Sequence, residues 1–122
     1  MKKLLISVCL LLIAVNALAQ LQEGLSLKYL VRAPEGKVSH PALVILLHGY
    51  GSNEEDLFGL RDIFPKNCIV VSARAPYALP NSSGYQWYEL NMANGRREGN
   101  TAQIEKSREL VSRLITELTG LY

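Results

Sequence analysis

Hydrophobic and polar positions change period several times along the chain. Leu25, Leu27 and Tyr29 alternate with Ser26 and Lys28, which predicts a strand with one face buried. Pro34-Glu35-Gly36-Lys37 reads as a turn. Residues 42–47 form an unbroken aliphatic run, short enough for a strand covered on both faces, and the run stops at His48-Gly49-Tyr50-Gly51. Ser52 followed by Glu55 predicts a capping box, and Glu54, Glu55 and Asp56 complement the dipole of the helix it opens. Leu57, Leu60, Ile63 and Phe64 give that helix an apolar stripe, and Pro65 ends it. Cys68, Ile69, Val70 and Val71 predict a second buried strand.

Residues 72–100 are rich in Pro, Gly, Asn and Ser and read as one long loop, of a length that compact domains usually reserve for function. Asn100 with Gln103 opens a helix over residues 101–119. Ile104, Val111, Leu114, Ile115 and Leu118 form its apolar face, Glu109 and Arg113 make an i,i+4 pair, and Gly120 stands where a C-cap belongs. There are no internal repeats. Strand, buried strand, helix, buried strand, loop and helix are the opening of an α/β fold, a mostly parallel sheet flanked by helices. The series ends on a helix with no strand after it, so the expectation is the N-terminal portion of such a domain.

The first residues carry a different signal. Lys2 and Lys3, an apolar run over 4–15, and Ala17-Leu18-Ala19 before Gln20 read together as a signal peptide over residues 1–19. The stretch 4–19 is shorter than the roughly 20 residues of a comfortable membrane span. The expectation is export to the periplasm or extracellular space after cleavage at Ala19-Gln20, leaving a domain over 20–122 with no stable membrane span. Cys9 leaves with the leader, so Cys68 remains as a single thiol, and as part of an apolar strand it is expected to be buried and inert.

Charge narrows the function further. The 122 residues hold 13 Lys and Arg against 11 Asp and Glu, and the two leader lysines account for the whole excess. A body without net charge argues against nucleic acid as a partner. An apolar content of 48% marks a folded chain.

The chemistry concentrates in residues 47–57, LHGYGSNEEDL. A strand that runs into His-Gly-x-Gly and then a helix leaves backbone N–H groups free at the strand's carboxyl end, where they can face a developing oxyanion. An ordinary glycine-containing strand-to-helix turn has the same local pattern, and the pattern alone leaves both readings open. No Gly-Lys-Ser/Thr follows, which disfavours a phosphate loop.

LHGYGSNEEDL, followed at 72–90 by SARAPYALPNSSGYQWYEL, resembles the phospholipase/carboxylesterase family of α/β-hydrolases, which includes the acyl-protein thioesterases. Both segments come in the family's order and at its spacing. The resemblance covers nearly all of the chain after the leader, and Arg74-Ala75-Pro76 with Gly84-Tyr85-x-Trp87-Tyr88 narrows it beyond the first motif. It implies a serine hydrolase that cleaves small carboxylic esters or thioesters without a cofactor. It also implies that Tyr50 donates its backbone N–H to the oxyanion, supported by His48, Gly49 and Gly51. Such enzymes carry a serine on a Gly-x-Ser-x-Gly elbow, then an acid, then a histidine. No Gly-x-Ser-x-Gly occurs in this sequence, so the expectation is a chain that stops before its nucleophile and is inactive alone.

Other candidates have simpler readings. Ser26, in a predicted strand, is a poor nucleophile, and Ser52 belongs to the cap. His48 precedes any elbow and is expected to organise the turn, not to act as a base. His40, beside Pro41, reads as a solvated loop residue. The first-turn position of Glu54, Glu55 and Asp56 explains them without a metal. Tyr85, Trp87 and Tyr88 either line an acyl pocket or pin the long loop to the core. A non-catalytic binding module, and half of a split hydrolase completed by a C-terminal half, are the alternatives that remain.

Overall fold

The computed structural model describes residues 19–122. Apart from Ala19, the predicted leader lies outside them. Three strands build the central sheet, β1 (Tyr29–Arg32), β2 (Leu43–Leu47) and β3 (Ile69–Ala73), in the order β1-β3-β2. β2 runs parallel to β3, with Ile45 opposite Val71, and β1 runs antiparallel to it, with Val31 also opposite Val71. A short helix α1 (Glu54–Phe58) and a 3₁₀ turn over Arg61–Ile63 connect β2 to β3. A long helix α2 (Thr101–Leu121) closes the other face.

β3 is buried at every position, as its apolar run predicts, because it has a strand on each side and a helix on each face. Ile69, Val71 and Ala73 meet Leu27, Tyr29, Leu114 and Leu118 in the larger core. Val70 and Ser72 turn to the opposite face, where the Ser72 hydroxyl donates to the Glu54 carbonyl at 2.7 Å.

β2 departs from expectation. Its residues are half-buried and Leu47 is exposed, because among the described residues β2 pairs with β3 alone. An apolar run reports that a strand prefers burial, and not whether a neighbour is present on both edges.

The first predicted strand is displaced. Leu25, Leu27 and Tyr29 do point inward, but the ladder begins at Tyr29, and residues 24–27 bend. The Glu117 carboxylate of α2 explains the bend: one oxygen accepts the Ser26 N–H at 2.9 Å and the Ser26 hydroxyl at 2.5 Å. A backbone donor held by a side chain is withdrawn from a ladder.

α1 is shorter than its pattern suggested. Asn53, not Ser52, is the N-cap, accepting the Glu55 N–H at 2.9 Å, while the Ser52 hydroxyl donates to Asp56 at the same distance. Phe58 is the buried apolar side chain, and Leu60 and Ile63 are exposed. Arg32 holds the connection that follows by donating to the carbonyls of Arg61, Phe64, Pro65 and Cys68. Cys68 precedes β3 and is half-buried, so it is not the fully buried thiol that an apolar strand implied.

The predicted 72–100 loop holds two hairpins. Ser72 and Ala73 complete β3, β4 (Tyr77–Ala78) pairs with β5 (Tyr85–Gln86), and β6 (Leu90–Ala93) pairs with β7 (Arg96–Gly99). Asn94 and Gly95, at φ 51° and 72°, supply the left-handed pair that a tight two-residue hairpin requires.

Asn100 caps α2 as its sequence predicts, accepting the Gln103 N–H at 3.2 Å. The helix runs through Gly120 to Leu121, so Gly120 is not its C-cap. Its buried stripe is Ser107, Leu114 and Leu118, flanked by Leu110 and Val111, and Ile104 and Ile115 are exposed. Ser107 is tolerated inside because its hydroxyl donates to the Trp87 carbonyl. The Glu109–Arg113 pair forms, with an N–O distance of 2.6 Å.

Candidate functional site

The glycine turn leaves the carboxyl end of β2, where the sheet stops and backbone groups lose their ladder partners. Its N–H groups are not equivalent. Gly51 N–H donates to the Tyr85 carbonyl at 2.9 Å, and Ser52 N–H donates to the Gly49 carbonyl at 3.2 Å. The Tyr50 N–H has no hydrogen-bond partner among the described residues, and Tyr50 is 60% exposed. Gly51 has φ +79°, a torsion that side chains resist.

His48 sits beneath this turn, 2% exposed. Its Nδ1 donates to the Gly49 carbonyl at 2.8 Å, and its Nε2 accepts the Ala75 N–H at 3.0 Å. With both nitrogens bound to backbone, the ring has none left to take a proton from a hydroxyl. The ring thus bridges the glycine turn and the segment after β3.

The segment after β3 is fastened to the turn at several points. Tyr85 N–H donates to the Ser52 carbonyl at 2.8 Å, and the Trp87 indole N–H donates to the His48 carbonyl at 2.8 Å. Gly84 allows the approach: a Cβ there would lie 2.0 Å from the Gly51 carbonyl oxygen. The segment closes a small cavity of about 110 Å³ lined by His48, Gly49, Tyr50, Trp87, Tyr88 and Leu90.

Of the three aromatic candidates, Trp87 and Tyr88 stand at this cavity. Tyr85 reaches the turn through its backbone, while its ring lies 4.5 Å from the Arg74 guanidinium and lines a separate cavity with Ser26, Lys28 and Pro76. Trp87 lines the cavity and also ties the loop to the turn through its indole N–H.

Sequence reasoning missed an ion pair beside the site. Glu54, read as a helix-dipole residue, has its side chain only 5% exposed, and Arg74 holds it through Nε–Oε2 at 2.8 Å and Nη2–Oε1 at 2.5 Å. Those hydrogen bonds keep the Glu54 carboxyl below its usual range against the opposing effect of burial, and they raise Arg74 in turn. A lone arginine directly after a fully buried strand was the available signal.

Glu55 stays exposed and Asp56 accepts from Ser52, so the acidic triplet diverges. Among the described residues no three His, Cys, Asp or Glu side chains group as metal ligands. Ser26 is held by Glu117 and Ser52 by Asp56, and neither has an imidazole partner. No described helix is long and apolar enough to cross a membrane.

Comparison with known proteins places the chain in a family. The phospholipase/carboxylesterase family model matches residues 30–120. A carboxylesterase from Mesorhizobium loti, solved as a crystal structure, superposes with a TM-score of 0.62 at 24% identity, over 84% of this chain and 46% of that one. At that identity the likeness speaks for the fold, and the chain spans about half of that protein's length. None of the curated proteins matches.

Proposed function

Because the chain belongs to the phospholipase/carboxylesterase family, we propose that it is the N-terminal part of an exported serine hydrolase of carboxylic esters or thioesters. The observation that carries this reading is the Tyr50 N–H, unpartnered among the described residues beside a cavity walled by Trp87, Tyr88 and Leu90. Its neighbours at Gly51 and Ser52 are occupied.

In this reading a serine beyond residue 122 attacks the acyl carbon and a histidine carries the proton to the leaving group. The Tyr50 N–H, with the N–H of the residue after the serine, receives the negative charge that develops on the carbonyl oxygen. Fixed N–H donors in a site shielded from water stabilise that charge without reorganising. Trp87 and Tyr88 would meet the acyl chain. The strand bearing the serine would pair along β2, whose second edge has no partner among the described residues. The chemistry needs no cofactor, and the 122 residues alone are inactive.

A fluorophosphonate probe tests the reading, because it marks an activated serine covalently. The 122-residue chain should remain unlabelled and hydrolyse no p-nitrophenyl ester, since removing the serine of a triad costs on the order of 10⁶ in kcat. A longer protein carrying the elbow should be labelled at a serine outside residues 1–122. Labelling at Ser26 or Ser52, or a longer protein inert to both probe and ester, overturns it.

A further inference from the structure

The direction in which the Tyr50 N–H points follows from the bonds made by the Gly49 carbonyl. The Gly49 carbonyl and the Tyr50 N–H are opposite ends of one planar trans peptide, so fixing the oxygen fixes the N–H. That oxygen accepts two hydrogen bonds, from His48 Nδ1 at 2.8 Å and from Ser52 N at 3.2 Å. The bond from His48 requires a proton on Nδ1. A neutral imidazole has one N–H, and hydrogen bonding at the other nitrogen decides which one it is. Here Nε2 faces the Ala75 backbone N–H at 3.0 Å, a group that can only donate, so Nε2 must present its lone pair and the proton must sit on Nδ1.

From this geometry we infer that His48 is a positioning residue locked in its Nδ1–H tautomer by the Ala75 N–H, and that this lock aims the Tyr50 N–H. Two further contacts hold the assembly. The Trp87 indole donates to the His48 carbonyl, and its ring centre lies 5.5 Å from that of the imidazole. The indole that walls the cavity therefore also fixes the residue that orients the donor, and cavity wall and turn form one unit. The catalytic meaning of the lock rests on the role proposed above for Tyr50, while the tautomer itself does not.

The experiment is long-range ¹H–¹⁵N NMR of the His48 ring in the full chain at neutral pH, together with the Tyr50 amide signal in two variants. The ring should show the Nδ1–H pattern. In His48→Asn the side-chain amide occupies the place of Nδ1 and can still donate to Gly49, so the Tyr50 signal should stay near its original position. In His48→Gln the amide reaches toward Nε2 instead, and the Tyr50 signal should shift. An Nε2–H or doubly protonated ring overturns the inference, even if neither variant folds. A Tyr50 signal that moves equally in both variants overturns the aiming role. The two readings fail separately: an Nδ1–H ring in a longer protein that hydrolyses no ester removes the hydrolase assignment alone, and an Nε2–H ring in an active esterase removes the lock alone.

Discussion

The Arg74 guanidinium grips the Glu54 carboxylate side-on, with two nitrogens on two oxygens at 2.8 and 2.5 Å. The pair joins the first residue of α1 to the first residue after β3, and the guanidinium carbon lies 4.5 Å from the centre of the Tyr85 ring. Its strength depends on both partners being charged.

That dependence has a sign. Arg74 holds Glu54 below its ordinary value of 4.5, so the folded chain gives up this proton more readily than the unfolded one. The stabilisation is complete above the unfolded value and is lost as pH falls through the lower, folded one. Glu54→Gln should cost stability at pH 7 near the low end of the about 3–5 kcal/mol typical of a broken buried pair, since Arg74 retains 21% exposure. The variant should also lose stability less steeply below pH 4.5. Asp62 beside Lys66 and Glu117 on Ser26 are lowered in the same direction, so some acid dependence remains. Urea unfolding from pH 7 to 3 provides the measurement, and parallel curves for the two proteins would refute the assignment.

Gly84→Ala should loosen the turn. Its Cβ would fall 2.0 Å from the Gly51 carbonyl oxygen, a backbone atom, and no side-chain torsion can move a Cβ away. A loss of about 1–3 kcal/mol is expected from overpacking. Hydrogen exchange at Gly51 and Tyr85 should rise, because their bridge must open. Unchanged protection at both amides would mean that the contact is not essential.

β2 should make the 122-residue chain self-associate. It has an edge unpaired among the described residues and carries five aliphatic residues with no charge or proline among them, and unpaired edges of that kind recruit other chains. Size-exclusion chromatography should show oligomers or a broad profile that Leu47→Lys shifts toward monomer. A sharp monomer peak with strong near-ultraviolet dichroism from Trp87 would exclude this.

Export should remove the leader. The secreted protein is expected to begin at Gln20, read by N-terminal sequencing, and a product that retains Met1 would dismiss the signal peptide.

The surroundings of the candidate site are partly legible in the sequence. Residues 47–57 pointed to the turn, and Trp87 and Tyr88 do stand beside it. Glu54 was visible only as a helix-start carboxylate, because its partner Arg74 lies 20 residues away. Leu90 carried no signal, since its place at the cavity follows from a hairpin whose Asn94-Gly95 turn lies within a longer polar stretch.

What the sequence determined by itself are properties of near neighbours: β3 as a buried strand, the Asn100 cap, the Glu109–Arg113 pair and the glycine turn after an apolar run. Each depends on hydrogen bonds or periodicity within a few residues. Only the tertiary structure decided that β2 lies at an edge among the described residues, that α2 buries Ser107 while exposing Ile104 and Ile115, and that Glu117 bends the chain at Ser26. Those outcomes depend on which surfaces meet across separations of up to 91 residues, and neither apolar periodicity nor capping chemistry encodes the rotation of a helix on a sheet or the number of neighbours a strand finds.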